Sequence, residues 1–241
     1  MIGKVVSLEH KKYNIIILAG GAGTRMGVAS DFIPKALTKL GESRAIDFII
    51  ERYSLVAHKF ILGTGYHSDL LMSYVSGRYK MPIQFSIETP ENLINNCYST
   101  IYCLDNADSR FGTIITFCDL LMMDNLTVKD DSIFYVTDKT QGYPGSFRHS
   151  VHFTNNTSAV IKSNKTPKLR ANGLLGNFVF SDTALFKSIL YSKYKNLIDL
   201  TDDGVIAYMS HKSVTACECT SVYEFGNETD LIKVRELWKN V

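Results

Sequence analysis

The sequence lacks a strong charge of either sign. Lysine and arginine total 26 against 24 aspartate and glutamate, so the formal net charge of the 241 residues is +2. No long block of one sign occurs, and we therefore expect neither a nucleic acid nor a membrane surface as a partner. An anionic ligand would have to be met by a few local cations.

Paired cysteines and long apolar runs are missing as well. The five cysteines are an odd number without a CxxC spacing, and no signal peptide precedes them. No apolar run reaches the length of a membrane-spanning helix. We therefore predict a cytoplasmic protein with reduced thiols. Cys217 and Cys219 alternate with other residues in a strand-like segment, which favours burial over metal binding.

Strand-like and helix-like patterns alternate along the first half of the chain, which predicts a parallel sheet with helices on both faces. The predicted strands span residues 13–18, 59–63, 82–88 and 112–118. The predicted helices span residues 45–57, 67–79 and 95–106.

The second half of the chain has a less regular pattern of short strands with polar, glycine-containing connections. Its predicted strands span residues 132–138, 147–153, 157–161 and 176–181, and its predicted helices residues 183–191 and 231–238. No internal repeat or low-complexity linker occurs. We therefore predict one α/β domain over residues 1–241, with halves of about 13–125 and 126–241.

One loop carries the clearest chemical signal. In "IIILAGGAGTRMG", residues 15–27, an apolar strand runs into glycines, whose backbone N–H groups suit a phosphate at a strand end. The spacing fits neither GxxxxGK[ST] nor GxGxxG. Arg25 and, in "IPKAL", Lys35 supply two cations. Solvated loop charge is the alternative for this pair, although its position after the first long strand favours a phosphate site.

The segments "LAGGAGTRMG" and "IPKAL" resemble the signature of the sugar-phosphate nucleotidylyltransferase superfamily, a LAGG strand end, GxGTR(L/M) and a PK pair. The resemblance implies a three-layer, Rossmann-like α/β nucleotidyltransferase fold with a mostly parallel mixed sheet and an elaborated C-terminal half. It also implies that Arg25 stabilises the leaving pyrophosphate and that Lys35 contacts phosphate. The residues that would wrap the triphosphate are Leu18, Ala19, Gly20, Gly21, Gly23 and Thr24.

Further segments extend this resemblance along the chain. "TIITFCDLLM" resembles the strand that ends in a GD pair, so Asp119 matches the metal-binding aspartate, with Cys118 where glycine is usual. "YEFGNETDL" resembles the "DIGTPEDY" segment and puts Glu224 at the second metal carboxylate. Mg²⁺ is the implied cofactor. From the residues alone, a turn or helix cap for Asp119 and an ordinary surface glutamate at 224 stay open.

The implied reaction joins two polyanions. A phosphate oxygen of the acceptor attacks the α-phosphorus of a nucleoside triphosphate and expels pyrophosphate. No covalent enzyme intermediate or general base is needed, because the acceptor phosphate is already an anion. Positioning and electrostatic stabilisation would carry the catalysis.

Two resemblances point to different acceptors. "GNFVF", with Gly176, is similar to the NAGIYVF segment on the sugar side, although Leu174 and Leu175 replace its asparagine and alanine. By contrast, Asn95 and Asn96 resemble the "NNIYSLY" element of phosphocholine and phosphonate cytidylyltransferases. They could meet a nucleotide base or cap the following helix.

The acceptor expected first is a sugar 1-phosphate, and a choline or phosphonate type is the alternative. The acceptor's phosphate needs a cation. The candidates, of which we select Lys165, are Lys162, Lys165, Lys168 and Arg170.

The sequence thus predicts a Mg²⁺-dependent nucleotidyltransferase that uses CTP, GTP, UTP or dTTP in a glycan or other surface-polymer pathway. Residues 13–125 would form the nucleotide-binding half and residues 126–241 the acceptor-binding half. The oligomeric state stays open. A dinucleotide-binding oxidoreductase is opposed by the glycine spacing. A non-catalytic, nucleotide-binding regulatory subunit is opposed by the presence of both loop cations and Asp119.

Overall fold

A mixed β-sheet with helices on both faces forms the centre of the protein. This computed structural model describes residues 3–7, 11–26, 32–88, 95–142, 147–153, 159–168 and 172–238, with the backbone alone at residues 147, 148, 159, 160 and 162–168. Within these residues, nine strands belong to the large sheet, and three two-stranded sheets lie beside it.

The helices and strands are numbered in chain order. The strands are β1 (Val5–Ser7), β2 (Tyr13–Leu18), β3 (Lys39–Leu40), β4 (Ser43–Arg44), β5 (Ala57–Thr64), β6 (Ile83–Ile87), β7 (Gly112–Phe117), β8 (Leu120–Met122), β9 (Leu126–Val128), β10 (Ser132–Val136), β11 (Phe147–Phe153), β12 (Ala159–Lys168), β13 (Gly173–Phe180), β14 (Thr215–Glu218) and β15 (Val222–Glu224). The α-helices are α1 (Ala45–Tyr53), α2 (Ser68–Arg78), α3 (Asn96–Asp105), α4 (Thr183–Ser192), α5 (Ile206–Met209) and α6 (Glu228–Trp238). Short 3-10 helices span Lys35–Leu37 and Tyr194–Asn196, and a π-helix spans Leu200–Val205.

The large sheet combines a parallel part with an antiparallel extension. Its strand order is β12-β11-β13-β7-β2-β5-β6, with β10 beside β13 and β14 beside β10. Strands β7, β2, β5 and β6 are mutually parallel. Strand β13 pairs antiparallel with β7 and so joins the second half of the chain to the first. The predicted mixed α/β sheet is thereby confirmed.

The alternating side chains of β2 explain the three layers. This strand is buried throughout, and Ile15 and Ile17 belong to one hydrophobic core while Ile16 and Leu18 belong to the other. Successive side chains of a strand point to opposite faces. Helices α1, α2 and α6 contribute buried residues to the first core, and α3 and α4 to the second. Both faces of the sheet are therefore covered.

Two predicted elements have different bounds in the structure. The helix predicted over residues 45–57 ends at Tyr53, and Ala57 already belongs to β5. The strand predicted over residues 157–161 continues instead to Lys168, because antiparallel pairing with β11 satisfies the backbone of a polar segment. Lys162, Lys165 and Lys168 therefore lie on a strand rather than in a basic loop.

The N-terminal residues are part of the fold. Strand β1 pairs in parallel with β9. The buried Arg52 of α1 donates from Nη1 to the carbonyl oxygens of Gly3, Met122 and Asp124 at 2.6, 2.7 and 2.9 Å. This guanidinium group ties the N-terminal strand to the end of β8.

The fold exposes no membrane-spanning element among its described residues, since none of their helices is both long and apolar enough to cross a bilayer. All five cysteines are unpaired; Cys219 is buried and Cys217 is half-buried.

A buried carboxylate holds the chain segment that carries Lys35. Asp47 is 1% exposed and accepts hydrogen bonds from the backbone N–H of Arg44 and from the hydroxyls of Tyr74 and Tyr79, at 2.9, 2.8 and 2.6 Å. Arg44 in turn donates from Nη1 to the carbonyl of Leu37, at 2.6 Å. Asp47 thus fixes the end of the 3-10 helix that begins at Lys35.

We predict that Asp47→Ala lowers the free energy of unfolding by about 3 kcal/mol, because it leaves two tyrosine hydroxyls and a backbone N–H without their acceptor. Urea unfolding followed by circular dichroism measures this loss. Asp69→Ala, an exposed acid in the first turn of α2, is the matched control and should change stability by about 0.5 kcal/mol or less. Equal effects of the two substitutions would contradict the role given to Asp47.

Candidate active site

The site lies where two parallel strands end side by side. Strands β2 and β7 pair in register, with Leu18 opposite Phe117, and the backbone N–H of Cys118 donates to the Leu18 carbonyl at 3.2 Å. The glycine loop leaves β2 at this point and Asp119 follows β7. Carboxyl ends of parallel strands meet at one edge of a sheet, which is where open α/β sheets bind their ligands.

A second, antiparallel pair brings Glu224 to the same place. Strand β15 pairs with β8 so that Glu224 lies opposite Leu120, and the backbone N–H of Phe225 donates to the Asp119 carbonyl at 3.2 Å. Two carboxylates that are far apart in the sequence therefore become neighbours through strand register.

Three charged groups converge on one point beside Gly226. A β-carbon built on this glycine would lie 3.4 Å from Glu224 Oε1, 3.7 Å from Arg25 Nη2 and 4.0 Å from Asp119 Oδ2. The structure thus brings together Arg25, Asp119 and Glu224, three residues to which the sequence analysis gave a role. Gly226 leaves the space between them open.

Lys35 forms an ion pair with Asp119. Its Nζ lies 2.8 Å from Asp119 Oδ2, and the two side chains are only 13% and 16% exposed. Burial is the largest single effect and would lower the pKa of Lys35, but the raising interactions, led by the charge of Asp119 and its hydrogen bond, together outweigh it, so the pKa lies above its usual value. Lys35 is therefore a fixed cation at the strand ends.

The surroundings of the Glu224 carboxyl disfavour its charged form. Loss of hydration and then the charge of Asp119 raise its pKa to about 7. The Glu224 side chain is exposed at an open cleft, so water screens part of this effect. A carboxylate whose charge is disfavoured by a neighbouring carboxylate fits a cation between the two.

Two clefts meet at Asp119 and Phe117, which line both. The first, which we call the loop cleft, has a volume of about 260 Å³. Its walls include Leu18, Gly20, Gly21, Lys35, Asn95 and Asn96. The second, the β13 cleft, has a volume of about 290 Å³. Its walls include Arg25, Leu120, Leu174, Leu175, Gly176 and Glu224.

The glycine loop is open towards the loop cleft. Gly23 has φ +67°, a conformation that favours glycine. A β-carbon on Gly21 would meet no atom within 4 Å, so the packing of the protein does not require glycine there. Ala19 is buried and its N–H donates to the Gly63 carbonyl, whereas Thr24 is exposed.

The two asparagines have structural partners. Asn95 Oδ1 accepts from the backbone N–H groups of Cys97 and Tyr98 and so caps α3, while its Nδ2 donates to the Leu197 carbonyl at 2.9 Å. Asn96 Oδ1 accepts from the N–H of Leu200 at 3.3 Å. The capping alternative thus describes Asn95. A nucleotide contact by either residue stays a prediction.

The acceptor residues predicted from sequence are described only in part. Gly176 lines the β13 cleft. Lys165 lies on β12, where only the backbone is described, and Arg170 lies outside the described residues. No contact of either side chain with the cleft can therefore be assigned.

Sequence reasoning missed Phe117 and Ser99. Phe117 is the last residue of β7 and lines both clefts, and Ser99 lines the loop cleft from the first turn of α3. In the sequence, Phe117 lies two residues before Asp119 and Ser99 lies four residues after Asn95, and this proximity was the available signal. Cys118 also lines the loop cleft, but burial raises the pKa of its thiol to about 12, so the thiol stays neutral.

A group of possible metal ligands lies outside the two clefts' described walls. His149, Asp199 and Asp202 place one ligand atom each within 4.8 Å of one another. The His149 ring contacts both carboxylates, with Nε2 3.3 Å from Asp202 Oδ1.

The fold defined by these elements is that of the nucleotidyltransferases, which confirms the predicted fold class. A similar solved structure is the CTP:phosphocholine cytidylyltransferase of Streptococcus pneumoniae, with a TM-score of 0.74 and 19% identity over 94% of this chain and 99% of that one. A UDP-glucose pyrophosphorylase complexed with UDP-glucose has a TM-score of 0.71 and 13% identity over 95% and 99%. The inositol-1-phosphate CTP transferase of T. maritima has a TM-score of 0.67 and 17% identity over 95% of each chain.

At these identities the likeness establishes the fold alone. No protein-family model matches the sequence, and no curated protein matches it. The activity of this chain therefore has to be inferred from the geometry and charges of its own site.

We predict that Gly176→Ala disturbs the wall between the two clefts. The added β-carbon would lie 2.5 Å from the Phe117 ring, so the ring must move or the strands must separate. The free energy of unfolding should fall by about 1–3 kcal/mol, measured by urea unfolding. Gly77→Ala, whose β-carbon meets nothing within 4 Å on α2, should instead be neutral or stabilising by up to about 1 kcal/mol. An unchanged stability of Gly176→Ala would contradict the close packing at Phe117.

Proposed function

We propose that the protein is a Mg²⁺-dependent nucleotidyltransferase that joins a nucleoside triphosphate to a small phosphorylated acceptor and releases pyrophosphate. The observation that carries the proposal is the meeting of two clefts at Asp119, with Lys35, Arg25 and Glu224 around the junction. A transfer between two bound substrates needs two adjoining clefts. A reaction between polyanions needs charge at their junction.

The transfer is a displacement at phosphorus. An oxygen of the acceptor phosphate forms a bond to the α-phosphorus, and the bond from that phosphorus to the oxygen bridging to the β-phosphorus breaks. Its electron pair leaves with pyrophosphate. The attacking oxygen is already anionic, so no side chain has to remove a proton.

The chain's own cations act on the two phosphate groups. Lys35, at the mouth of the glycine loop, would bind and orient the triphosphate, and open N–H groups at Gly20 and Gly21 would support it. Arg25 lines the β13 cleft and reaches the point beside Gly226. From there its guanidinium can stabilise charge that develops on the leaving pyrophosphate.

Asp119 and Glu224 fit a divalent cation. Both are hard oxygen ligands, they converge within 4 Å of one point, and Asp119 disfavours the charge of Glu224. Mg²⁺ prefers one or two protein carboxylates together with substrate phosphates. When bound, it would neutralise triphosphate charge as a Lewis acid.

The acceptor side combines apolar and charged walls. Leu174, Leu175, Phe117 and Leu120 line the β13 cleft beside the two carboxylates. Sugar hydroxyls need hydrogen-bonding partners, whereas an alkyl-ammonium group fits apolar walls and negative charge. Sugar 1-phosphate remains the expectation from the GNFVF segment. Leu174 in place of the asparagine of the NAGIYVF segment removes an amide that could bind a sugar hydroxyl, which favours the second class, a phosphocholine-like or phosphonate acceptor. Lys165 is our candidate for the acceptor's phosphate.

The activity is tested by measuring pyrophosphate release. The purified protein is incubated with Mg²⁺ and each of ATP, CTP, GTP, UTP and dTTP, against a panel of sugar 1-phosphates, phosphocholine and 2-aminoethylphosphonate. We expect release with one nucleotide and one acceptor, and none after chelation of the metal. Nucleotide binding without release by any pair would support the alternative of a regulatory subunit. A product for glycan assembly and a cytoplasmic location stay predictions.

Asp119→Asn should reduce turnover by about 10²-fold or more, because the amide keeps the shape of the side chain but loses the charge that holds the cation. Initial rates of pyrophosphate release measure the loss, and thermal unfolding checks that the fold is kept. Asp105→Asn is the control, since Asp105 pairs with Lys187 on the surface and should keep the wild-type rate. Comparable rates for Asp119→Asn and the wild type would sink the metal assignment.

A further inference from the structure

A buried glutamate lies directly behind the loop cleft. Glu88, at the end of β6, is 3% exposed, and its Oε2 accepts a hydrogen bond from Ser99 Oγ at 2.6 Å. Its other oxygen, Oε1, is buried and has no hydrogen-bond partner among the described residues. A buried carboxyl is costly unless its partners are satisfied, so this arrangement calls for a reason.

Ser99 stands between this glutamate and the cleft. The serine is in the first turn of α3 and lines the loop cleft, whereas Glu88 does not. On the far side, a β-carbon on Gly63 would lie 3.2 Å from Glu88 Oε1 and 3.0 Å from the sulfur of the buried Cys103. Glu88 is therefore enclosed by the fold, and Ser99 is the group through which it can act on a ligand.

The hydrogen bond decides what Ser99 offers to the cleft. A serine hydroxyl has one hydrogen and two lone pairs, and an ionised carboxylate can only accept. The hydroxyl hydrogen is committed to Glu88 at 2.6 Å, and the contact with the Asn95 carbonyl is longer, 3.4 Å. What remains for the cleft is an acceptor. A ligand that meets Ser99 gains a hydrogen bond only by donating one.

The place of Ser99 in the cleft identifies the part of the ligand it would meet. Gly20, Gly21 and Lys35 form the cationic, N–H-rich part of the same cleft, which suits the phosphates. Ser99 and the asparagine pair at the start of α3 form a neutral, polar part. This part suits a nucleobase, whose edge is read by hydrogen bonds.

We propose that Ser99, positioned by Glu88, selects nucleotides whose base carries an amino group at the pyrimidine 4-position or the purine 6-position, namely cytosine or adenine, over uracil and thymine. This inference rests on the proposed function. Cytosine donates from its 4-amino group, whereas uracil and thymine present a carbonyl oxygen at the same position. Two acceptors facing each other leave both unpaired, and such a mismatch is strongly rejected by a site built for a donor.

CTP and UTP give the cleanest test because they have the same size. Their binding to the full-length protein is measured by isothermal titration calorimetry with Mg²⁺ and without an acceptor. We expect CTP to bind at least about 10-fold more tightly than UTP. In Ser99→Ala the difference should shrink to about threefold or less, mainly through weaker binding of CTP.

Two further variants separate hydrogen-bond direction from packing. Glu88→Gln is isosteric, but its amide can donate to Ser99 and so free the serine hydrogen for the cleft. UTP should then gain relative to CTP. Thr100→Ser, the next residue of α3, is the matched control and should keep the wild-type ratio, because Thr100 donates to the Asn96 carbonyl and does not line the cleft.

The outcomes distinguish this inference from the proposed function. Equal binding of CTP and UTP by the wild type, or an unchanged ratio in Ser99→Ala, would overturn the role of Ser99 alone. If Ser99→Ala fails to fold, an unchanged ratio in Glu88→Gln overturns it instead. Failure of the wild type to bind any of the five nucleotides would contradict the proposed function itself.

Discussion

The parallel pairing of β2 with β7 is the constraint on which the site depends. Because Leu18 lies opposite Phe117, the glycine loop and Asp119 leave the sheet at the same height and on the same edge. A shift of one residue would turn the buried isoleucines of β2 towards the wrong core, so packing on both faces holds the register. The same hydrophobic contacts that stabilise the sheet therefore align the groups of the site.

Charge at this edge is balanced for an anionic ligand. Lys35 neutralises one oxygen of Asp119, while Arg25 and Glu224 meet Asp119 beside Gly226. With two cations and two carboxylates around one point, the protein alone avoids a strong local field. A triphosphate with a divalent cation could exchange partners with these groups without leaving a charge unpaired, which is the condition for holding Lys35 and Asp119 in a half-buried place. Behind the site, the buried Asp47 holds the segment that carries Lys35, and the buried Arg52 holds the end of β8.

The sequence predicted the bounds of some elements more accurately than those of others. Strand β2 has its predicted bounds because a run of β-branched residues followed by glycines is a local signal. Strand β12 was underestimated because Lys162 to Lys168 lack a hydrophobic pattern, and only pairing with β11 makes them a strand. Helix α1 was overestimated because Leu55, Val56 and Ala57, which lie beyond its end, continue its apolar spacing. In the site, the motif left Asn95 open between a nucleotide contact and a helix cap, and its Oδ1 accepts the hydrogen bonds of the cap.

The sequence by itself determined the fold class, the glycine loop and the residues Arg25, Lys35, Asp119 and Glu224, because each of these follows from a short pattern of residues along the chain. Only the tertiary structure decided which of them meet. The closeness of Asp119 and Glu224 depends on the register of β8 with β15, and the shared wall at Phe117 depends on the packing of Gly176. The hydrogen bond of the Ser99 hydroxyl depends on Glu88, which directly follows β6. Such contacts join residues far apart in the chain, and local periodicity carries no information about their register or distance.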